Sequence, residues 1–313
     1  MTLSSLHSRR TLGRKPVGMA AMLLPFETDG AIAADAFQAQ VCETLEAGLT
    51  PAVNMDTGYV NLLTPAEKTT VLNLTNQAAG GRPFLAGAFI EGEEGDLVDL
   101  YRREMDKIVE RGGTPILFQT CRTHGLTPSG KAGVYASAAR GFADVYAFEL
   151  GKMFAPNGEI WDEETLEAIL SIPEIKGLKH SSLDRMTELR RLELRDRLRP
   201  EFKIFTGNDL GIDMIEFGSD YLLGLAAFAP GKFAERDRLW AQNDAAYLPL
   251  ADSLQFLGNA AFRQPVPAYK HSCAVFLHIL GKIPSSRTHP RSPSRPGWEA
   301  ELMGVVAQRL GLL

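Results

Sequence analysis

The sequence predicts an α/β protein: a (β/α)8 TIM-type barrel followed by a C-terminal helical extension. Three observations carry this prediction. Short apolar runs alternate with helical patterns, giving eight strand–helix units by about residue 242, which is the arithmetic of a closed parallel barrel. The first strand is followed by "PFETDG" and not by a GxGxxG turn, and no Walker motif occurs, so a doubly wound nucleotide-binding sheet is disfavoured. The unusual polar residues cluster just after the apolar runs, where a barrel keeps its active site. The chain therefore divides into a barrel over 1–242 and a helical extension over 243–313.

Each element follows from local pattern. "VGMAAMLL" (17–24) reads as strand one and 34–47 as helix one. "TPAVN" (50–54) is strand two, and Thr64-Pro65 opens helix two with Thr64 as N-cap. "PFLAGAF" (83–89) is strand three; helix three over 96–111 ends at Gly112-Gly113. "PILFQ" (115–119) is strand four, with a helix over 132–142. "DVYAF" (144–148) is strand five, followed by helix 163–171; "IKGLK" (175–179) is strand six. The run 184–199 mixes both charges at helical spacing and reads as a solvated face stitched by i,i+4 pairs. "FKIF" (202–205) is strand seven, with a helix near 210–217; "DYLLGLAAF" (220–228) is strand eight, and Pro230 starts another helix. Beyond 243 the apolar runs are helical, joined by a Pro-, Ser- and Arg-rich surface linker over 282–297.

Composition bounds the partners. Thirty-three basic residues against 38 acidic ones leave a net charge of −5, which argues against nucleic acid. No stretch reaches the roughly 18 apolar residues that a membrane span needs. Cys42, Cys121 and Cys273 are far apart and odd in number, so neither a disulfide framework nor a CxxC metal pair is expected, and the cytoplasm is the simplest compartment. Residues 9–36 mimic a signal peptide, but Glu27, Thr28, Asp29 and Gly30 interrupt the pattern, and a first core strand explains the apolar stretch. His271 and His278 share a helix face without a third ligand, so no metal is expected. His180, next to Lys179, is expected to pack against the helical shell.

Lys179 is the sharpest feature. It stands where an apolar strand should end. An ammonium in a desolvated barrel mouth loses basicity, and a neutral amine attacks carbonyls to form a Schiff base. The competing reading is a lysine that snorkels to solvent or pairs with an acid.

The ordered motifs resemble a known family, the dihydrodipicolinate synthase and N-acetylneuraminate lyase group of Schiff-base (class I) aldolases. "AAMLLPFETDGAI" (20–32) resembles the opening strand and its TPF-x-x-DG-x-I turn. "TGYVNLLTPAEK" (57–68), "IKGLKHSS" (175–182), "FTGND" (205–209), "GSDYLLGLAAFAP" (218–230) and "VPAYKHSCAVFLHILGKI" (266–283) follow in the family's order. The resemblance implies a barrel with C-terminal helices, assembled as a dimer or tetramer. It implies Lys179 as the Schiff-base nucleophile of a carbon–carbon or carbon–oxygen lyase. The partner is a small-molecule carbonyl substrate, such as a 2-oxo acid or a sugar-derived acid, and no metal or organic cofactor is implied.

The departures from the family pattern nominate the remaining residues. The family's hydroxyl pair after strand two is replaced by Asp56-Thr57, followed by Gly58; a carboxylate here repels a substrate carboxylate unless one is protonated. The family tyrosine on strand five has two candidates, Tyr146 and Phe148, which point to one face. Glu149 is a candidate replacement acid–base. Arg122 or His124 can bind an anionic group after strand four. Asn208 and Asp209 either bind a polyhydroxyl tail or cap the next helix. Gly224 completes the substrate-binding set, and Tyr59 is expected to wall the pocket. The alternative is a barrel that binds a carbonyl metabolite without turning it over; a phosphate-binding isomerase ranks lower, because no Gly-rich loop follows strands seven and eight.

Overall fold

The computed structural model describes residues 8–313; the first seven residues of the expected 1–242 unit lie outside the described residues. The chain runs β1 (Gly18–Ala21), α1 (Ala34–Glu46), β2 (Thr50–Val53), α2 (Pro65–Ala79), β3 (Leu85–Ala88), α3 (Leu97–Val109), β4 (Thr114–Leu117) and α4 (Pro128–Ala139). It continues through β5 (Val145–Leu150), α5 (Glu163–Leu170), β6 (Ile175–Ser181), α6 (Arg185–Leu198), β7 (Lys203–Thr206), β8 (Asp220–Leu223) and α7 (Pro230–Ala241). A 3-10 segment, Ile212–Phe217, stands in place of a helix between β7 and β8. All eight strands are parallel, and β1 pairs with both β2 and β8, closing the barrel. Three helices follow: α8 (Tyr247–Ala261), α9 (Tyr269–Ile279) and α10 (Glu299–Arg309). No helix among the described residues is long and apolar enough to cross a membrane.

Two apolar layers hold the barrel. Met19, Ala52, Leu85, Ile116, Phe118, Phe148, Phe205 and Leu222 fill its interior, and a larger layer joins the outer faces of the strands to the helices. Helix starts follow their caps. Thr64 and Glu67 form a capping box with Pro65 in the first turn. The helix expected over 132–142 begins earlier, at Pro128, because Thr127 accepts from the Gly130 amide and proline suits the first helical position.

Three local differences matter for the site. Strand β6 runs past Lys179 to Ser181, so the lysine sits within the strand. Strand β8 stops at Leu223; the next residues turn as a 3-10 segment, Leu225–Ala227, whose Leu225 amide donates to Asp209 Oδ1 at 2.8 Å. Helix α6 is not solvated all round: Arg190 and Arg197 pair with Glu163 and Glu167 on the outer face, but Glu188 and Arg191 are buried against the barrel.

Candidate active site

Register decides which side chains meet. Parallel partners across β5 and β6 are Phe148 with Lys179 and Glu149 with His180. Alternation along a strand then sends Phe148, Leu150, Lys179 and Ser181 to the interior, and Glu149 and His180 to the helical shell. Lys179 is 7% exposed, and its Nζ lies over the Phe148 ring, 4.4 Å from the centroid. It closes one side of a cavity of about 20 Å³, room for roughly one water.

The other walls come from far along the chain. Asp56 and Thr57 enter from the 3-10 turn after β2, Gly207 and Asp209 follow β7, and Gly224 follows β8. Phe262 and Tyr269, at the end of α8 and the start of α9, stack at 4.2 Å between centroids and roof the cavity with Phe154. Gly207 leaves room for both neighbours: a Cβ there would sit 2.0 Å from Ser181 Oγ and 2.9 Å from Lys179 Cε, and both side chains would have to shift.

Burial and charge tune two groups against each other. Desolvation pulls Lys179 down to about 8, with Asp209 and Asp56 opposing the fall. Desolvation pushes Asp209 up to about 7, although the Leu225 amide and Lys179 favour its charged form. Asp56 is held from the other side. Lys270 Nζ is 3.0 Å from its Oδ1, and the Tyr269 hydroxyl donates to its Oδ2 at 2.9 Å. Tyr269 Oη is also 2.9 Å from Thr57 Oγ1.

Several sequence-nominated residues lie elsewhere. Tyr146 is two residues deeper in the barrel than Phe148, with its ring 5.6 Å from Phe205, so the ring beside Lys179 carries no hydroxyl. Glu149 points outward into a buried ion cluster. His180 Nδ1 lies 2.6 Å from Oε2, Arg191 Nη2 2.6 Å from Oε1, and the Trp161 amide donates to Oε1 at 2.7 Å. Burial pushes its pKa up, and His180 and Arg191 more than reverse that, leaving it lowered. This removes Glu149 from the acid–base candidates at the cavity. His180 bridges Glu149 to Ser182 Oγ at 2.6 Å.

The strand-four candidates turn away too. Arg122 donates to the carbonyls of Glu93 and Gly95, and His124 Nε2 lies 3.1 Å from the Asn157 carbonyl; both brace loops outside the cavity. Cys121 is exposed, and Glu91 beside it pushes its thiol pKa up. Asn208 caps its turn by accepting from the Leu210 amide at 3.0 Å, whereas its neighbour Asp209 lines the cavity. A Cβ added at Gly58 would lie 3.1 Å from the Met22 carbonyl oxygen, so the 3-10 turn packs tightly there. Tyr59 is buried behind the site against Phe26 and His289. Sequence reasoning missed Ser181, Phe154, Phe262, Tyr269 and Lys270 as site residues. Ser181 had a signal, since it shares the face of Lys179.

No protein-family model matches the sequence, and no curated protein matches it. Solved structures do match. A dihydrodipicolinate synthase from Thermotoga maritima superposes with a TM-score of 0.82 at 18% identity, covering 96% of this chain and 99% of that one. The chloride-inhibited dihydrodipicolinate synthase from Acinetobacter baumannii, complexed with pyruvate, gives 0.80 at 18% identity over 96% and 100%. YagE, a prophage protein of the dihydrodipicolinic acid synthase family from E. coli K12, also with pyruvate, gives 0.82 at 14% identity over 95% and 99%. Over nearly its whole length, the chain has the fold of the dihydrodipicolinate synthases, at a wide sequence distance.

Proposed function

We propose that the chain is a Schiff-base-forming lyase in which Lys179 attacks the carbonyl carbon of a small-molecule substrate. The observation that carries this reading is that buried Lys179 and Asp209 line one aromatic-roofed cavity, where burial draws their pKa values to about 8 and about 7. Near neutral pH a fraction of the amine is free to attack, and a fraction of Asp209 is protonated. The amine adds to the carbonyl, Asp209 protonates the departing hydroxyl, and water leaves the carbinolamine to give an iminium. The iminium draws electrons from a bond to the neighbouring carbon. In an aldol cleavage Asp209, now a carboxylate, takes the β-hydroxyl proton as the Cα–Cβ bond breaks, leaving an enamine on Lys179 and a released carbonyl compound. In a dehydration it takes the Cα proton to give the enamine and returns it to the β-hydroxyl, which leaves as water. Two of the similar structures hold pyruvate, itself a ketone, which supports carbonyl binding in a barrel of this shape. The cavity of about 20 Å³ must widen to admit a multi-carbon substrate.

A second reading has its own observation. Phe148 puts a ring without a hydroxyl beside Lys179, as in a barrel that binds a carbonyl metabolite and does not turn it over. Borohydride trapping with intact-mass readout separates the two from a protein without Schiff-base chemistry. Wild type and Lys179→Ala are offered a panel of keto acids, aldehydes and uncharged ketones. An adduct on wild type alone supports the lysine, and release of a cleaved or dehydrated product then supports the lyase over the binder. No adduct with any carbonyl overturns the Schiff-base reading.

A further inference from the structure

This inference rests on the Schiff-base reading and names the class of carbonyl compound the site takes. At the rim between β2 and α9, a chain of hydrogen bonds has a fixed direction. Lys270 is 5% exposed and its ammonium forms a 3.0 Å ion pair with Asp56, so Asp56 is a carboxylate and accepts only. The Tyr269 phenol has one proton, and it goes to Asp56 Oδ2 at 2.9 Å. Thr57 Oγ1, 2.9 Å from the same phenol oxygen, must then donate its own proton to Tyr269. Both hydroxyl protons are spent on the path toward Asp56.

What these side chains offer the cavity is lone pairs. Thr57 presents an acceptor and its neighbour Asp56 a carboxylate, while Asp209 enters from β7 and serves the amine. Among the described residues lining the cavity, Lys179 is the one cation, and it is consumed as nucleophile. Ser181 donates or accepts and does not select. A substrate carboxylate next to the carbonyl would meet acceptors and like charge. A substrate hydroxyl at the same place would find acceptors at once.

We propose that this site selects an uncharged carbonyl compound with a hydroxyl on the carbon next to the carbonyl, an α-hydroxy ketone or aldehyde, and rejects 2-oxo acids. Asp56, Tyr269 and Lys270 are the specificity-determining residues.

Hydroxyacetone and pyruvate test this directly, because they differ in a hydroxymethyl group against a carboxylate beside the same methyl ketone. The wild-type chain is incubated with each in the presence of cyanoborohydride. The initial rate of mass gain is divided by the rate for free Nα-acetyl-lysine under the same conditions. Hydroxyacetone is expected to label Lys179 faster than pyruvate by about tenfold or more on this normalised scale. Asp56→Asn is expected to narrow the ratio, since it removes the fixed acceptor and frees Lys270. Equal or faster labelling by pyruvate overturns the proposal and leaves the Schiff-base reading intact. Labelling by neither compound, nor by any carbonyl of the wider panel, overturns both. If Asp56→Asn fails to fold, the wild-type ratio decides alone; if it folds with an unchanged ratio, the assignment to Asp56 is wrong.

Discussion

Lys179 and Phe148 are register partners across β5 and β6, and the lysine Nζ lies 4.4 Å from the centre of the phenylalanine ring. The ring face attracts an ammonium and excludes water, but it moves no proton. Restoring a hydroxyl here with Phe148→Tyr adds a proton carrier within reach of the reacting carbon. Iminium formation, followed by trapping, is expected to rise by about tenfold. The ring also packs against Phe118 at 4.9 Å, so a stability cost of about 1 kcal/mol is expected from the added atom. A trapping rate at or below wild type would count against a missing proton carrier.

The nucleophile is the neutral amine, so labelling should climb with pH around a midpoint near 8. Asp209 favours the ammonium; Asp209→Asn should move that midpoint down, because the opposing charge is gone. The same shifts enter stability. Lys179 sits below its usual 10.5, so the unfolded chain binds more protons and stability rises as pH climbs from about 8 to 10.5. Asp209 sits above its usual 3.8, so its contribution is present at low pH and is lost as pH rises through about 7. Their combined penalty is largest near pH 7–8. Denaturation of a Lys179→Met/Asp209→Asn double variant should show its largest gain over wild type in that window, shrinking toward either extreme.

Gly207→Ala is expected to abolish trapping while the barrel still folds. The new Cβ would lie 2.0 Å from Ser181 Oγ and 2.9 Å from Lys179 Cε, so both side chains must shift and the lysine loses its present alignment. Overpacking of this kind costs about 1–3 kcal/mol. Circular dichroism of wild-type shape with trapping lost is the expected pair of results; wild-type trapping would mean that Lys179 need not hold this position.

Glu149→Gln is expected to behave in the opposite way. It strips the counter-charge from Arg191, which is 3% exposed, and breaking a buried pair costs about 3–5 kcal/mol. Chemical denaturation should show that loss, while the trapping rate of the folded fraction stays at wild type. Because the folded pKa of Glu149 is lowered, its contribution is held above the ordinary carboxylate range and is lost as pH falls through the lowered value. A trapping rate that collapses in a fully folded variant would return Glu149 to the chemistry.

The barrel was legible because its signals are local. Alternating periods mark eight units, and a cation interrupting "IKGL" marks Lys179. The choice between Tyr146 and Phe148 was not, because residues two apart share a face and their depth is set by pairing with β6, about thirty residues away. Glu149 had a usable signal: it has the opposite parity to Phe148 and so cannot share its face. Arg122 and His124 follow β4 as expected, but the loop turns them onto backbone carbonyls. Tyr269 and Lys270 reach Asp56 across more than two hundred residues, through the packing of α9 over the mouth. No nearby residue announces that approach.

The roof of the cavity belongs to a different stretch of chain from its nucleophile. Phe262, Tyr269 and Lys270 lie within nine consecutive residues at the α8–α9 junction, while Lys179 is rooted in the sheet. Reactivity and choice of substrate are therefore written in separate places. On the proposed reading, a transplant of 262–270 together with Asp56 into a Schiff-base barrel would carry the preference without touching the lysine, and varying that segment together with Asp56 would re-aim this chain at new carbonyl compounds.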